Sequence, residues 1–147
     1  SVVYEGMDKR LCDSVSEDDI AHIKKKYNLG NHGILYMGTI EPVKNISRIM
    51  EAYKKLREKS GLYYKLIIAG KDGWMAKELR SMAIDLGIED DITFLGYIPP
   101  EDLSALFSSV CLFVFAPLYE GFGTPAVEAM ACGLPIVASD IPVLHEI

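Results

Sequence analysis

Glu120 and Glu128 stand eight positions apart, with Gly121, Phe122, Gly123, Thr124, Pro125 and Ala126 in the stretch between them. Two carboxylates at that spacing can bind hydroxyl groups of a ligand, and a Gly-x-Gly turn running into a helix start can hold an anion. Val110, Leu112, Phe113, Val114 and Phe115 form a strand-like apolar run just upstream, so Glu120 falls in the loop leaving a strand's carboxyl end. Open α/β sheets bind ligands at that edge. Thr124 has the chemistry of an N-cap, Pro125 suits the first helical position and Gly133 suits the residue past the last turn. Together they predict a helix over 125–132 with Glu128 on its first turns. The amides of Gly123, Thr124 and Ala126 are then expected to face Glu120, forming an anion socket at the positive end of a helix dipole. A plainer reading competes: a Glu near a helix N-terminus commonly serves the dipole, and Gly-Phe-Gly makes a turn. Glu128 lies four residues past the expected N-cap rather than three, so a capping box does not account for it.

The elements that must position these residues repeat a βα pattern. Strands are expected near 33–37, 64–69, 92–95, 110–115 and 135–138, each followed by a loop with Gly or Pro and then a helical segment. Such repetition predicts an α/β fold, a parallel sheet with helices on both faces. A helix over 46–59 begins after Asn45, stops at Gly61 and aligns Ile46, Ile49, Met50, Tyr53 and Leu56. Another over 75–86 aligns Met75, Leu79, Met82 and Leu86 before Gly87. These apolar stripes are core rather than cofactor boxes. A helix over 17–28, capped by Ser16 and stopped by Gly30, is expected to pack outside the sheet after a short strand at 2–4.

Four ordered blocks carry a resemblance to a known family. PLYEGFGTPAVEAMACGLPIVASD at 117–140 closely resembles the family 4 retaining glycosyltransferases, whose signature is Glu, seven residues, Glu. YMGTIEPVKN at 36–45, KLIIAGKDGW at 65–74 and FLGYIPPEDL at 94–103 resemble that family's preceding blocks. The resemblance implies a GT-B enzyme with two Rossmann-like domains facing across a cleft. Residues 1–147 then stand for its carboxy-terminal, nucleotide-sugar-binding domain, incomplete at the C-terminal end, with the amino-terminal acceptor domain absent and the isolated domain inactive in transfer. By matched position, Glu128 would bind the nucleotide ribose. The backbone of Gly121, Phe122, Gly123 and Thr124 and the Lys44 cation would hold the diphosphate, with Gly38 allowing close approach. Glu120 would be the catalytic carboxylate facing the donor sugar, and Tyr97 would lie in the segment against the base. The resemblance implies no essential metal and no other cofactor. Its partners would be a nucleotide sugar and a glycan or lipid-linked acceptor, with peripheral membrane contact through the missing half. The blocks look most like mannosyltransferase members, which makes GDP-mannose a first guess. Thr39 and Val43 depart from the family's usual Arg at those places, leaving Lys44 as the matched cation. A nucleotide-binding module without transfer activity is therefore the alternative.

Composition narrows the rest. The chain has 147 residues and a formal net charge of −6. Residues 81–147 carry ten Asp or Glu and no Lys or Arg, whereas residues 31–80 carry ten Lys or Arg against five Asp or Glu. This acidic half argues against nucleic-acid binding, and any cation near the Glu120 loop must come from the first half, as Lys44 and Lys71 do. For Lys71, a turn between Gly70 and Gly73 is the favoured reading over a phosphate contact. The run Lys24-Lys25-Lys26 reads as a solvated face complementing a helix end. His22, His32 and His145 match no site position. Cys12, Cys111 and Cys132 lack Cys-x-x-Cys spacing and read as reduced core thiols of a cytoplasmic chain. No apolar run approaches the ~18 residues of a membrane span. A receiver or flavodoxin-like signalling domain would share the sheet but needs an acidic cluster after the first strand, where Glu41 is the lone carboxylate of Gly38-Thr39-Ile40-Glu41.

Overall fold

A β-strand followed by a helix and a parallel strand of the same sheet favours a right-handed crossover overwhelmingly, and this chain makes four such βαβ connections. The computed structural model describes residues 11, 14–61, 63–71, 73 and 75–147; the strand expected at 2–4 and Cys12 lie outside them. The elements run α1 (Glu17–Lys26), β1 (Gly33–Met37), α2 (Ile46–Ser60), β2 (Lys65–Ala69), α3 (Ala76–Leu86), β3 (Ile92–Gly96), α4 (Pro100–Ser108), β4 (Leu112–Phe115), α5 (Thr124–Ala131) and β5 (Ile136–Ala138). All five strands are parallel, in the order β3-β2-β1-β4-β5. The first two crossovers step from β1 to β2 to β3, and the next two step the opposite way to β4 and β5. Right-handed connections therefore put α2 and α3 on one face and α4 and α5 on the other. The fold class is the expected α/β, Rossmann-like sheet covered on both faces.

The core follows from strand composition. Leu35, Tyr36, Leu66, Ile67, Ala69 and Phe113 are fully buried on the three central strands, as expected where helices cover both faces and strands become continuous apolar runs. Ile46, Ile49, Met50 and Tyr53 of α2 are buried as their spacing predicts, but Leu56 is 41% exposed. Fifteen helical residues extend about 22 Å, whereas a five-residue strand covers roughly 17 Å. The C-terminal end of α2 therefore runs past the strand length, and Arg57 there meets the Gly87 carbonyl and Asp91 through polar contacts rather than apolar packing. On α3, Leu79 is buried together with Ala76 and Ala83, while Met75, Met82 and Leu86 pack partly buried at its margin.

α1 ends at Lys26, two residues earlier than expected, because Asn28 turns into the left-handed region at φ 51°. Its Ser16 cap forms a full capping box with Asp19. The basic end of α1 is not wholly a solvated face: Lys26 Nζ lies 2.6 Å from Asp102 Oδ2 on α4, and the Tyr27 hydroxyl donates to the same oxygen. Asp102 is 7% exposed. Burial opposes its charge, yet the hydrogen bonds from Lys26 and Tyr27 outweigh that and hold its carboxyl below the usual range. A depressed carboxyl pKa adds stability that is fully present above the unfolded-state pKa near ~4 and is lost as pH falls through the folded-state value. Asp102→Asn should therefore lower the melting temperature at neutral pH and flatten its fall between about pH 5 and 3, read by thermal melts across that range.

Of the two described cysteines, Cys132 packs against the core as expected and Cys111 does not. Cys111 is exposed and Cys132 is only partly buried, their thiols against the Gly33 and Leu11 carbonyls at 3.1 and 3.3 Å. His22, His32 and His145 are all exposed. No helix among the described residues is long and apolar enough to cross a membrane.

Candidate donor site at the sheet's switch point

The strand order reverses between β1 and β4, so the loops leaving those two neighbours diverge to opposite faces and open a crevice at the carboxyl edge. Lys44 ends a short 3-10 turn, Pro42–Lys44, in the loop after β1, and Glu120 lies in the loop after β4. Across the crevice, Lys44 Nζ sits 2.7 Å from Glu120 Oε2, with the two side chains only 19% and 16% exposed. The loops are also joined through their backbones, the Leu118 amide donating to the Val43 carbonyl at 2.8 Å. Position 43, where the sequence lacks the expected arginine, thus contributes through its carbonyl, which any residue supplies.

Glu120 has a second partner of its own making: the Gly121 amide donates to Oε1 at 3.0 Å. Gly123 is buried at φ 92°, a left-handed conformation that glycine adopts freely, and it swings the chain into α5. This shifts the helix start by one residue. Gly123 is the N-cap, Thr124 is the first helical residue rather than the cap, and Pro125 is the second. The Ala126 amide is spent on the Gly123 carbonyl at 2.8 Å, so the anion socket loses the Ala126 donor assigned to it from the sequence. Phe122, Thr124 and Glu128 are half-buried, with Glu128 on the second turn of α5.

A cleft of about 390 Å³ opens where the loops after β1, β2 and β3 meet, on the same carboxyl edge of the sheet; Gly38, Thr39, Gly70, Lys71, Tyr97 and Ile98 line it, and Lys44 and Glu120 do not. Its size lies within the range of small-ligand pockets. The three loops forming it are held edge to edge: the Gly38 amide donates to Ala69, Ile40 to Lys71 and Gly70 to Gly96, all between backbones. Gly70 and Gly73 are there because nothing larger fits. A Cβ on either would lie 2.0 Å from a carbonyl oxygen, that of Gly38 or of Ile40. Lys71 itself faces the cleft and lies over the Tyr97 ring, 5.6 Å from its centroid. Tyr97 itself is 59% exposed.

Sequence reasoning missed Tyr36. It is fully buried, and its hydroxyl donates to the Thr39 carbonyl at 3.2 Å beneath Gly38. Burial raises its phenol pKa well above the ordinary value, with the charges of Glu120 and Glu41 adding to the effect. The phenol stays protonated and props the β1 loop. An aromatic at the last inward position of a buried strand reads only as core, and no spacing signal marks its hydroxyl.

Comparisons with known proteins place the chain among relatives of the same fold. The O-antigen chain mannosyltransferase B of Escherichia coli is 40% identical over 126 residues, covering 85% of this chain and 33% of that protein. The O-antigen chain mannosyltransferase RfbU of Salmonella typhimurium is 35% identical over 137 residues, covering 93% of this chain and 36% of that protein. The chain thus spans about a third of the length of these curated relatives. Among solved structures, Anabaena Alr3699/HepE in complex with UDP and glucose superposes with a TM-score of 0.86 at 26% identity, over 99% of this chain and 39% of that one. A sheet whose switch point joins a β1-loop lysine to a β4-loop glutamate accompanies a match of residues 17–147 to the family described as glycosyl transferases group 1, and the chain belongs to that family.

Proposed function

We propose that this chain is the donor-binding half of a retaining hexosyltransferase that takes mannose from a nucleoside-diphosphate sugar and passes it to a glycan or lipid-linked acceptor. The observation that carries the reading is the largely buried Lys44–Glu120 pair at the topological switch point, on the same carboxyl edge as the cleft formed by the β1, β2 and β3 loops. The mannosyl assignment draws on the two O-antigen mannosyltransferase relatives. The nucleotide draws on the complex of HepE with UDP and glucose. The acceptor, a cytoplasmic location and peripheral membrane contact are proposed for the whole protein, since this chain spans about a third of the length of these relatives.

In this reading the base lies in the cleft against Tyr97 and the Gly96–Ile98 backbone. Glu128 accepts hydrogen bonds from the two ribose hydroxyls, as an ionised carboxylate can do through both oxygens. The diphosphate rests against the backbone of Gly121, Phe122, Gly123 and Thr124 at the start of α5, with Gly38 allowing the phosphates close to the β1 loop. Lys44 supplies a cation for the negative charge that grows on the leaving diphosphate. Glu120 binds a ring hydroxyl and stabilises the positive charge that develops on the sugar as its bond to phosphate opens. Neutralisation by Lys44 and backbone dipoles lets departure proceed without an essential metal, so diphosphate affinity should be unaffected by a chelator.

Calorimetric titration with GDP, UDP and their mannose and glucose conjugates tests the reading, together with Glu128→Gln. That substitution should weaken the nucleoside diphosphate by about 1–3 kcal/mol, the usual worth of hydrogen bonds to a charged group. Equal affinity in both forms would remove Glu128 from the ribose. In the whole protein, Glu120→Gln should lower kcat far more than it raises KM, because its contact strengthens as charge develops. A change in KM alone would reduce Glu120 to a binding group. A chain that binds its diphosphate normally but belongs to a protein with no turnover on any donor would instead be a nucleotide-binding module, the alternative that Thr39 favours.

A further inference from the structure

We propose that Lys44 and Glu120 together discriminate the intact donor from the spent diphosphate, by exchanging partners only when a sugar is attached. The inference rests on the donor-site reading above. In the ligand-free chain the pair is closed at 2.7 Å and about four-fifths removed from solvent on both sides. It is therefore unlike an exposed pair, whose charges are satisfied by water when separated. The two loops are pinned by the Leu118–Val43 hydrogen bond, so neither side chain can be carried far away by loop movement alone.

Two ligands meet this pair differently. A nucleoside diphosphate draws Lys44 toward its phosphates and leaves Glu120 charged, poorly hydrated and facing a second anion. Among the described residues, the Gly121 amide at 3.0 Å is the partner that remains to it. The Tyr36 hydroxyl nearby is committed to the Thr39 carbonyl, and residues 81–147, which include the Glu120 loop, supply no Lys or Arg to the buried carboxylate. Separating a desolvated pair in this way is unfavourable. A nucleotide sugar draws Lys44 in the same way but also brings sugar hydroxyls, which donate to the released carboxylate. One ion pair is then replaced by two satisfied groups. The same residue that holds the sugar thus penalises the product that has lost it, and product departure is favoured without any loss of donor affinity.

The test is calorimetric titration of GDP, UDP, GDP-mannose and UDP-glucose into the wild-type chain and Glu120→Gln, with guanosine and uridine as controls. Whichever diphosphate binds the wild type should bind Glu120→Gln about three- to tenfold tighter, and the preference for sugar conjugate over bare diphosphate should fall by at least about tenfold. Nucleoside affinity should not change. In a Lys44→Ala background the gain should shrink to less than about half on the free-energy scale, since the exchange acts through Lys44. An undiminished gain there would mean simple repulsion by Glu120 and would overturn the exchange. Unchanged or weaker diphosphate binding by a Glu120→Gln variant with a wild-type melting curve overturns the discriminator and leaves the donor site standing. A melting curve that shows Glu120→Gln unfolded moves the test to Glu120→Asp, which keeps the charge and shortens its reach to Lys44: tighter diphosphate supports the exchange and unchanged affinity overturns it. Wild-type chain that binds neither diphosphate more tightly than its nucleoside overturns both.

Discussion

Lys44→Ala should weaken nucleoside diphosphate binding by about 1.5–3 kcal/mol, tenfold or more, while leaving the bare nucleoside unchanged. The size follows from burial: Lys44 is 19% exposed and Glu120 16%, so the phosphate loses a poorly screened cation and meets an unopposed carboxylate. Melting curves should fall as well, because Glu120 keeps its place in the protein without its partner. Calorimetry with GDP and guanosine, and with UDP and uridine, reads the first effect directly. Equal weakening of nucleoside and diphosphate would move the phosphate role to Lys71, which faces the neighbouring cleft.

Gly70→Ala should be among the most damaging single methyl additions at the described glycines, on the order of 2–5 kcal/mol from left-handed backbone strain and steric overlap together. Gly70 adopts φ 140°, and an added Cβ would lie 2.0 Å from the Gly38 carbonyl oxygen, which is backbone and cannot rotate aside. The Gly70 amide is meanwhile tied to Gly96 at 2.8 Å, so retreat in the other direction breaks the β2–β3 edge. Gly61→Ala is the control. It also has positive φ, at 63°, but nothing lies within 4 Å of the added atom, and its cost should stay near the ~1–2 kcal/mol of a left-handed alanine. Urea unfolding of the two variants gives the comparison. If they are equally stable, the three strand-end loops are not packed against one another as described, and the cleft they form loses its rigidity.

The periodic features of this fold were legible in the sequence because each has a local cause. Gly87 and Gly133 stop their helices in left-handed conformations, at φ 67° and 69°, as a missing Cβ allows, and the five strands begin and end within two residues of the bounds expected from their apolar runs. Leu56 was misread because helical spacing says which residues share a face but not how far the sheet beneath extends. The N-cap of α5 was misread for a related reason: Thr124 has the better capping side chain, but the sharp entry after Glu120 requires a positive φ, which Gly123 supplies at 92°. Cys111 was expected in the core from its apolar neighbours and is exposed at the start of β4.

The site was legible in parts and not as a whole. Glu120, Glu128, Lys44 and Gly38 could be picked out individually from spacing and resemblance. That Lys44 and Glu120 touch could not, because they are 76 positions apart and meet only because β4 inserts beside β1. Strand order is set by which helices cover which face, a property of the assembled sheet rather than of any window of residues. Tyr36 illustrates the same limit, since its hydroxyl matters through what folds over it, the Gly38–Thr39 turn.

The central claim, that the carboxyl edge between β1 and β4 is a nucleotide-sugar site, is tested most directly by mapping amide resonances of the ¹⁵N-labelled chain during titration with GDP-mannose and UDP-glucose. The account predicts shifts concentrated at Gly38, Thr39, Lys71, Tyr97, Gly121, Gly123 and Thr124, with the opposite edge at Asn31 and His32 silent. Shifts confined to that opposite edge, or none with either donor at millimolar concentration, would contradict it.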